Sequence, residues 1–254
     1  MKSKLKIHFY SLAGCEGCAA QLVNALVKRP ELLKHIDFKQ FRLIGAREES
    51  ESCDIAIIDG SITNDEDEKK IMEIRRKAKT LIALGTCAVL GGVQSAVNEL
   101  NISEALSKVY KKVPKAVKIN KVKPLSEAVH VDYEIPGCPA EVEELEKLLV
   151  ELISGAKFRL SAKSVCFECK LRETACLLDK GEMCLGPIIR SGCNAKCPAL
   201  GAPCRGCRGL FEDSEVEELI CTALEKGIKE DVIKDKLSIF MAKVARKYGE
   251  VFEK

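Results

Sequence analysis

The first 155 residues alternate between apolar segments of strand length and amphipathic segments of helix length. Short apolar runs that end in glycine or polar residues predict five strands, at residues 4–12, 38–44, 54–58, 80–84 and 129–135. Apolar residues spaced three and four apart predict intervening helices, at residues 19–27, 65–77, 103–112 and 140–153. This alternation predicts an α/β domain built on a doubly wound parallel sheet.

The predicted helices carry recognisable end signals. Asn64 precedes three acidic residues at 65–67, and three basic residues at 75–77 close the same segment, so its charges complement the helix dipole. Pro139 is predicted at the first position of the helix over residues 140–153, and Gly155 is predicted to end it. These signals place the end of the α/β domain at residue 155.

Four cysteines lie in loops that follow predicted strands: Cys15, Cys18, Cys87 and Cys138. The loops after parallel strands meet at one edge of a doubly wound sheet, which is where ligands bind. We therefore expect the four thiols to lie together and to be able to hold one four-iron cluster. The alternative is that Cys87 and Cys138 are ordinary buried cysteines. A glycine one or two residues before each of them favours a cluster, since glycine lets backbone approach it.

Eight further cysteines fall within forty-two residues of the second half, which is predicted as a separate cysteine-rich region over residues 156–254. They open and close with a two-residue gap, a spacing that lets two sulfurs reach one metal centre. Eight thiolates are enough for two sites of four. The eight are Cys166, Cys169, Cys176, Cys184, Cys193, Cys197, Cys204 and Cys207.

Three kinds of cysteine site are considered for this region: disulfides, zinc sites and iron-sulfur clusters. Disulfides suit secreted chains, but the N-terminal residues lack the apolar core and the cleavage site of a signal peptide. Zinc sites usually use two close pairs per metal, whereas the four inner cysteines have gaps of seven, eight and three residues. Four-iron clusters accept uneven gaps, because four irons spread the thiolates over a larger object. The spacing therefore favours iron-sulfur clusters over zinc and disulfides.

Composition narrows the function classes. Basic residues number 41 and acidic residues 38, and they are interleaved, so binding of nucleic acid is not expected. No apolar run has the roughly 18 residues of a membrane span. Fourteen cysteines without a secretion signal indicate a reducing compartment, so we expect the protein in the cytoplasm.

The cysteine motifs resemble those of a known family, the small electron-transfer subunits of nickel-iron hydrogenases, and especially its cytoplasmic group. The resemblance covers nearly the whole chain. In the first half it rests on GCEGC (14–18), GTCA (85–88) and PGCP (136–139), and in the second half on CLGP (184–187), GC (192–193) and PCRGC (203–207). It implies a flavodoxin-like domain followed by a small irregular cluster domain with a C-terminal helix.

The resemblance also implies three 4Fe-4S clusters with particular ligands. The proximal cluster is assigned to Cys15, Cys18, Cys87 and Cys138, the medial cluster to Cys193, Cys197, Cys204 and Cys207, and the distal cluster to Cys166, Cys169, Cys176 and Cys184. Six nearby cations are candidates to favour the reduced clusters, although some are expected to be only surface charges: Lys170, Arg172, Arg190, Lys196, Arg205 and Arg208.

The chain departs from many periplasmic relatives at three positions. Cys166 stands where those relatives use a histidine as the first distal ligand. Cys197 supplies a fourth medial cysteine, which implies a 4Fe-4S cluster in place of a 3Fe-4S cluster and a lower potential. Gly14 stands where some relatives have a glutamate of a proton route, so that assignment is not transferred, and Glu16 is a candidate only because it lies close by.

The implied function is an electron relay in a nickel-iron hydrogenase. The nickel-iron centre would lie on a large subunit, and a further iron-sulfur or flavin subunit would receive the electrons. A three-cluster relay in a related non-hydrogenase oxidoreductase is one alternative. A zinc-stabilised interaction protein on a similar scaffold is another.

The remaining candidates receive structural interpretations. Cys53 and Cys221 are expected to be thiols outside the clusters, and Asp59 is expected at the cluster edge of the sheet. Apolar residues with helical spacing over 232–252 predict a C-terminal helix whose apolar stripe covers the cluster domain or docks a partner.

Overall fold

The computed structural model describes residues 4–48, 51–114 and 120–248. The chain divides into two compact units, Met1–Arg159 and Leu160–Lys254. None of the helices in the described ranges combines the length and the hydropathy that crossing a lipid bilayer requires.

The described residues of the first unit form a six-stranded sheet in the order β3-β2-β1-β4-β5-β6. All neighbouring strands are parallel except β3, which runs antiparallel to β2 at the edge. Without β3 this is the strand order of flavodoxin-like sheets, so the predicted α/β fold class is confirmed. The strands are β1 (Leu5–Ser11), β2 (Ile36–Phe41), β3 (Ala46–Arg47), β4 (Cys53–Asp59), β5 (Ala78–Leu84) and β6 (Tyr133–Ile135).

Helices cover the central strands. They are α1 (Gly17–Lys28), α2 (Asp65–Lys77), α3 (Gly85–Leu90), α4 (Ile102–Val109) and α5 (Val142–Ser154). Ile71 and Ile74 of α2 pack in one apolar cluster with Ala56 and Ile58 of β4. The alternate β4 residues face the other side of the sheet, and α1 and α5 pack against each other. Burial on both faces explains why β4 reads as a continuous apolar run.

Two predicted strands need correction, and one observed strand was not predicted. The second strand is Ile36–Phe41, and Arg42–Ile44 forms a 3-10 turn instead of its end. The two-residue strand β3 was not predicted from the sequence. The fifth strand is only Tyr133–Ile135, because the carboxylate of Asp132 accepts the Leu81 N–H at 2.7 Å and ends the ladder there.

The helix ends agree with prediction at two of three positions. The Asn64 side chain caps α2 by accepting the Asp67 N–H at 2.9 Å, and Gly155 ends α5 with a φ of 80°. Pro139 does not start α5, which begins at Val142. Pro139 and Ala140 belong instead to the loop that carries Cys138, where the Ala140 N–H bonds to the Cys18 sulfur.

The described part of the second unit consists of four helices joined by irregular loops: α6 (Val165–Leu171), α7 (Lys196–Ala199), α8 (Val216–Glu225) and α9 (Glu230–Lys247). Isolated bridges pair Ser164 with Arg190 and Ile189 with Leu210. The core combines loop residues such as Leu185 with α8 and α9. The irregular backbone is a consequence of short segments that lie between closely spaced cysteines.

The C-terminal helix covers its own unit. Ile233, Leu237, Phe240 and Met241 are buried in the same core as Cys184 and Cys204. The predicted apolar stripe therefore packs inward over the cysteine loops. Residues 249–252 of the predicted helix lie outside the described residues.

Candidate iron-sulfur cluster sites

The first candidate site lies at the carboxyl edge of the sheet, where loops follow β1, β5 and β6. Cys15 is exposed between β1 and α1, and Cys18 lies in the first turn of α1. Cys87 lies on α3 directly after β5, and Cys138 is exposed after β6. The Thr86 N–H donates to the Gly137 carbonyl at 2.9 Å and joins the last two loops. The topology thus brings together the four cysteines of the predicted proximal site.

The backbone of Gly85 lies close to the Cys18 sulfur and to the Gly137 carbonyl oxygen. A Cβ at this position would lie 2.3 Å from the Cys18 sulfur and 3.5 Å from the Gly137 carbonyl oxygen. The φ of Gly85 is +83°, which residues with a side chain rarely adopt. Glycine here is therefore required both by the backbone conformation and by the neighbouring thiol.

The electrostatics of this edge disfavour uncompensated thiolates. The pKa of Cys18 is raised to about 12, chiefly by burial and to a lesser extent by the charges of Asp59, Cys87 and Cys138. Burial is also the largest cause that raises the pKa of Cys87, and the charges of Cys15 and Asp59 add to it. Thiols that raise each other's pKa lie within electrostatic reach of one another. Bound iron would stabilise the thiolates, and their protons would be released to solvent.

Two polar residues, Asp59 and Gln94, form hydrogen bonds with neighbouring residues at this edge of the sheet. Asp59 is only 4% exposed, and burial raises its pKa to about 6, while the Ser11 hydroxyl and the Ala19 N–H donate to its carboxylate. Gln94 donates to the Ala13 carbonyl at 3.0 Å and to the Ser61 hydroxyl at 2.9 Å, and the Cys87 thiol donates to its side-chain oxygen at 3.7 Å. Asp59 lies at the expected edge. Gln94 was not predicted, because a single glutamine in a polar turn carries no sequence signal.

The second site lies on α6 and the loops beside it. The pKa of Cys166 is raised to about 12, chiefly by burial and to a lesser extent by the charges of Cys184, Cys169 and Cys176. The missing side chain of Gly186 leaves room here, since a Cβ would lie 3.3 Å from the Cys166 sulfur and 3.6 Å from the Cys184 sulfur. The fold therefore gathers the four cysteines of the predicted distal site.

The third site adjoins the second. Burial raises the pKa of Cys204 well above its usual value, and the charges of Cys184, Cys207 and Cys193 add to this. The Cys204 N–H donates to the Cys184 sulfur at 3.3 Å, so a residue of one predicted site bonds to a ligand of the other. Cys197 is exposed on α7, whose Lys196 N–H donates to the Cys193 carbonyl at 3.3 Å. The structure thus groups three of the predicted medial cysteines and places the fourth on the adjoining turn.

One of the six candidate cations is buried. Arg208 is 2% exposed, and its Nε donates to the carbonyls of Arg190 at 3.2 Å and Ser191 at 3.0 Å. Burial raises the pKa of Cys193 to about 11, and the charge of Arg208 acts in the opposite direction. By contrast, Lys170, Arg172, Lys196 and Arg205 are exposed.

The donor sets fit four-iron clusters. In the described ranges 4–48, 51–114 and 120–248, no three His, Cys, Asp or Glu side chains are spaced to hold a single metal ion. A four-iron cluster does not require that spacing, because each thiolate binds its own iron. Backbone N–H groups of Ala140 and Gly206 bond to the sulfurs of Cys18 and Cys204, as they do around such clusters. Cys53 is buried in β4 and Cys221 is exposed on α8, and neither belongs to a group.

Comparison with known proteins places the chain in a family. Residues 15–152 match the family model described as the NADH ubiquinone oxidoreductase, 20 Kd subunit. Sulfhydrogenase 2 subunit delta of Pyrococcus furiosus is 35% identical and aligns over 93% of this chain and 99% of its own. One subunit of the F420-non-reducing hydrogenase vhu from Methanocaldococcus jannaschii is 33% identical over 83% of both chains.

Solved structures of nickel-iron hydrogenases also resemble this chain. An NAD+-reducing [NiFe]-hydrogenase in its H2-reduced state superposes with a TM-score of 0.56 and 29% identity, covering 61% of this chain and 93% of its own. An actinobacterial-type NiFe-hydrogenase from Ralstonia eutropha H16 has a TM-score of 0.59 over 98% of this chain and 90% of its own, with 13% identity, and so shows a shared fold. The chain therefore belongs to the family of the NADH ubiquinone oxidoreductase 20 Kd subunit and, within it, to the small subunits of nickel-iron hydrogenases, which makes it a subunit of an oxidoreductase.

Proposed function

We propose that this chain is the electron-relay subunit of a nickel-iron hydrogenase complex and that its twelve grouped cysteines hold three 4Fe-4S clusters. The observation that carries the proposal is the convergence of cysteines that are distant in sequence. Cys18 and Cys87 are separated by 69 positions, yet each thiol senses charge from other cysteines at the same sheet edge. A fold that only buried its thiols would have no reason to bring cysteines so distant in sequence to one edge of the sheet.

The residues of the chain have distinct tasks in this proposal. The bound clusters would supply one-electron transfer. The thiolates hold them, and the N–H groups of Ala140, Cys204 and Gly206 stabilise the negative charge on nearby sulfur. Arg208 places a buried positive charge beside Cys193, which favours the reduced state of the medial cluster. The contact between Cys204 and Cys184 keeps the medial and distal ligand sets adjacent.

The proposal includes two partners. A large subunit would split H2 into two protons and two electrons at its nickel-iron centre. The electrons would then leave one at a time through this chain to an iron-sulfur or flavin subunit. We place the complex in the cytoplasm, because fourteen cysteines and low-potential clusters are suited to a reducing compartment.

One alternative also has support. The family model that matches residues 15–152 is described by a subunit of NADH ubiquinone oxidoreductase, which is not a hydrogenase. The same three-cluster relay could therefore serve another oxidoreductase. Nickel in the complex separates the two functions.

The test is the metal content of the complex that this chain forms when it is purified natively without oxygen. We expect at least about twelve iron atoms per copy of this chain from its three four-iron clusters, in addition to any iron on the partners, together with about one nickel on a co-purifying large subunit. The same iron without nickel would favour the non-hydrogenase relay. Zinc in place of iron would refute both functions.

A further inference from the structure

Helix α6 does more than carry two cysteines of the distal site. Glu168 lies between Cys166 and Cys169, and its side chain points to the loop that carries Cys193 of the medial site. Its Oε1 accepts the Gly192 N–H at 2.8 Å, and its Oε2 accepts the Ala195 N–H at 3.0 Å. One carboxylate thus bonds to the backbone on both sides of Cys193.

The loop that it holds has an unusual backbone. Asn194 and Ala195 have φ values of 54° and 45°, in the left-handed region that residues with a Cβ rarely adopt. The loop directs the N–H groups of Gly192 and Ala195 to the Glu168 carboxylate. Backbone strain of this kind persists only where surrounding contacts impose it.

The residue directly after α6 holds the same loop. Arg172 caps the C-terminal end of α6, four residues after Glu168. Its Nη1 donates to the Asn194 carbonyl at 2.9 Å. The loop beside Cys193 is therefore held both through its N–H donors and through a carbonyl acceptor, by side chains of α6 and of the residue that follows it.

The carboxylate also lies next to the sulfur. The Cys193 sulfur and Glu168 Oε2 are 3.9 Å apart, and the Ala195 N–H lies within reach of both. A negative charge at this distance disfavours addition of an electron to a cluster bound at Cys193, while the buried Arg208 favours it.

We propose that Glu168 is a positioning residue for two clusters: it fixes the medial ligand Cys193 relative to the distal pair Cys166 and Cys169, and its charge lowers the potential of the medial cluster. The proposal rests on the three-cluster relay proposed above. Without the carboxylate, the N–H groups of Gly192 and Ala195 lose their shared acceptor and the left-handed loop loses the contact that imposes it.

The test uses the complete complex, purified without oxygen, with two substitutions and one control. Glu168→Ala removes both hydrogen bonds and the charge, and Glu168→Gln removes the charge but keeps one acceptor. Glu182→Gln is the matched control, because Glu182 is an exposed carboxylate two residues before the distal ligand Cys184. The readouts are iron per chain, the electron paramagnetic resonance spectrum of the reduced protein, and the potential of each cluster in a redox titration.

We expect Glu168→Ala to contain about four iron atoms fewer per chain than the unsubstituted complex and to lose the spectrum of one cluster. We expect Glu168→Gln to keep all the iron and to raise the potential of one cluster, while Glu182→Gln matches the unsubstituted complex. An unchanged iron content in Glu168→Ala would overturn the positioning role, and an unshifted potential in Glu168→Gln would overturn the role of the charge. Fewer than about twelve irons in the unsubstituted complex would instead count against the three-cluster function.

Discussion

Substitution of Gly85 by alanine tests whether iron binding depends on the position of the Cys18 sulfur. A control at a second glycine accounts for the cost of backbone strain. Gly85 has a φ of +83°, and its Cβ would lie 2.3 Å from the Cys18 sulfur. Gly155 has nearly the same φ, +80°, and a Cβ there would meet nothing within 4 Å. Both glycines belong to the first unit. Gly155→Ala is therefore a matched control for Gly85→Ala.

The two substitutions share one cost and differ in another. An alanine in the left-handed region costs about 1–2 kcal/mol in stability at either position. At Gly85 the added methyl also lies more than about 1 Å inside ordinary contact distance to sulfur. The Gly137 carbonyl oxygen and the Cys18 Cβ, each 3.5 Å from the added carbon, leave little room for the alanine to shift. We therefore expect the Cys18 thiolate to be displaced from its position at the proximal site.

The assay is iron per chain in the anaerobically purified complex, together with thermal unfolding. We expect Gly85→Ala to contain about four iron atoms fewer per chain than the unsubstituted complex, while Gly155→Ala keeps all the iron and loses only a few degrees of thermal stability. The reasoning is refuted if Gly85→Ala retains all the iron, or if Gly155→Ala loses iron to the same extent.

Three further predictions concern other cysteines and the buried cation. Arg208→Gln should lower the potential of one cluster and reduce stability, because it removes a buried charge and weakens its bonds to two carbonyls; a redox titration with an unchanged potential would contradict this. Cys197→Ala should lower the iron content by about one atom per chain and change the paramagnetic spectrum of one cluster, because it removes the fourth thiolate; an unchanged iron content together with an unchanged spectrum would show that Cys197 is not a ligand. Cys53→Ala and Cys221→Ala should both keep the iron content of the unsubstituted complex, and loss of iron from either would mean that the ligand groups are wrong.

The sequence predicted those parts of the fold where burial leaves a periodic pattern. Strand β4 is buried on both faces, so its apolar run identified it, and Asn64 identified the start of α2 through its own capping bond. Strand β3 has only two residues, and no periodicity exists over that length. The shortening of β6 depends on Asp132, whose carboxylate replaces a backbone partner through a tertiary contact.

The candidate sites also combine features that the sequence predicted with features that depend on tertiary contacts. Cysteine is rare enough that its spacing alone pointed to metal, and the topology of a parallel sheet explained why Cys18 and Cys87 should meet. Glu168 and Gln94 are common polar residues, and their roles come only from the loops against which they fold. Arg208 is buried, whereas four of the other five candidate cations are exposed. No local pattern in the sequence predicts this difference.

The most direct test of the relay is whether H2 reduces the iron-sulfur clusters of the intact complex. The complex would be oxidised, freed of oxygen and exposed to H2 alone, with the visible absorbance and the paramagnetic signals of the clusters followed over time. We predict that H2 bleaches the absorbance and produces the same reduced-cluster signals as a chemical reductant. Reduction by the chemical reductant but not by H2 would contradict the assignment of this chain to a hydrogenase relay.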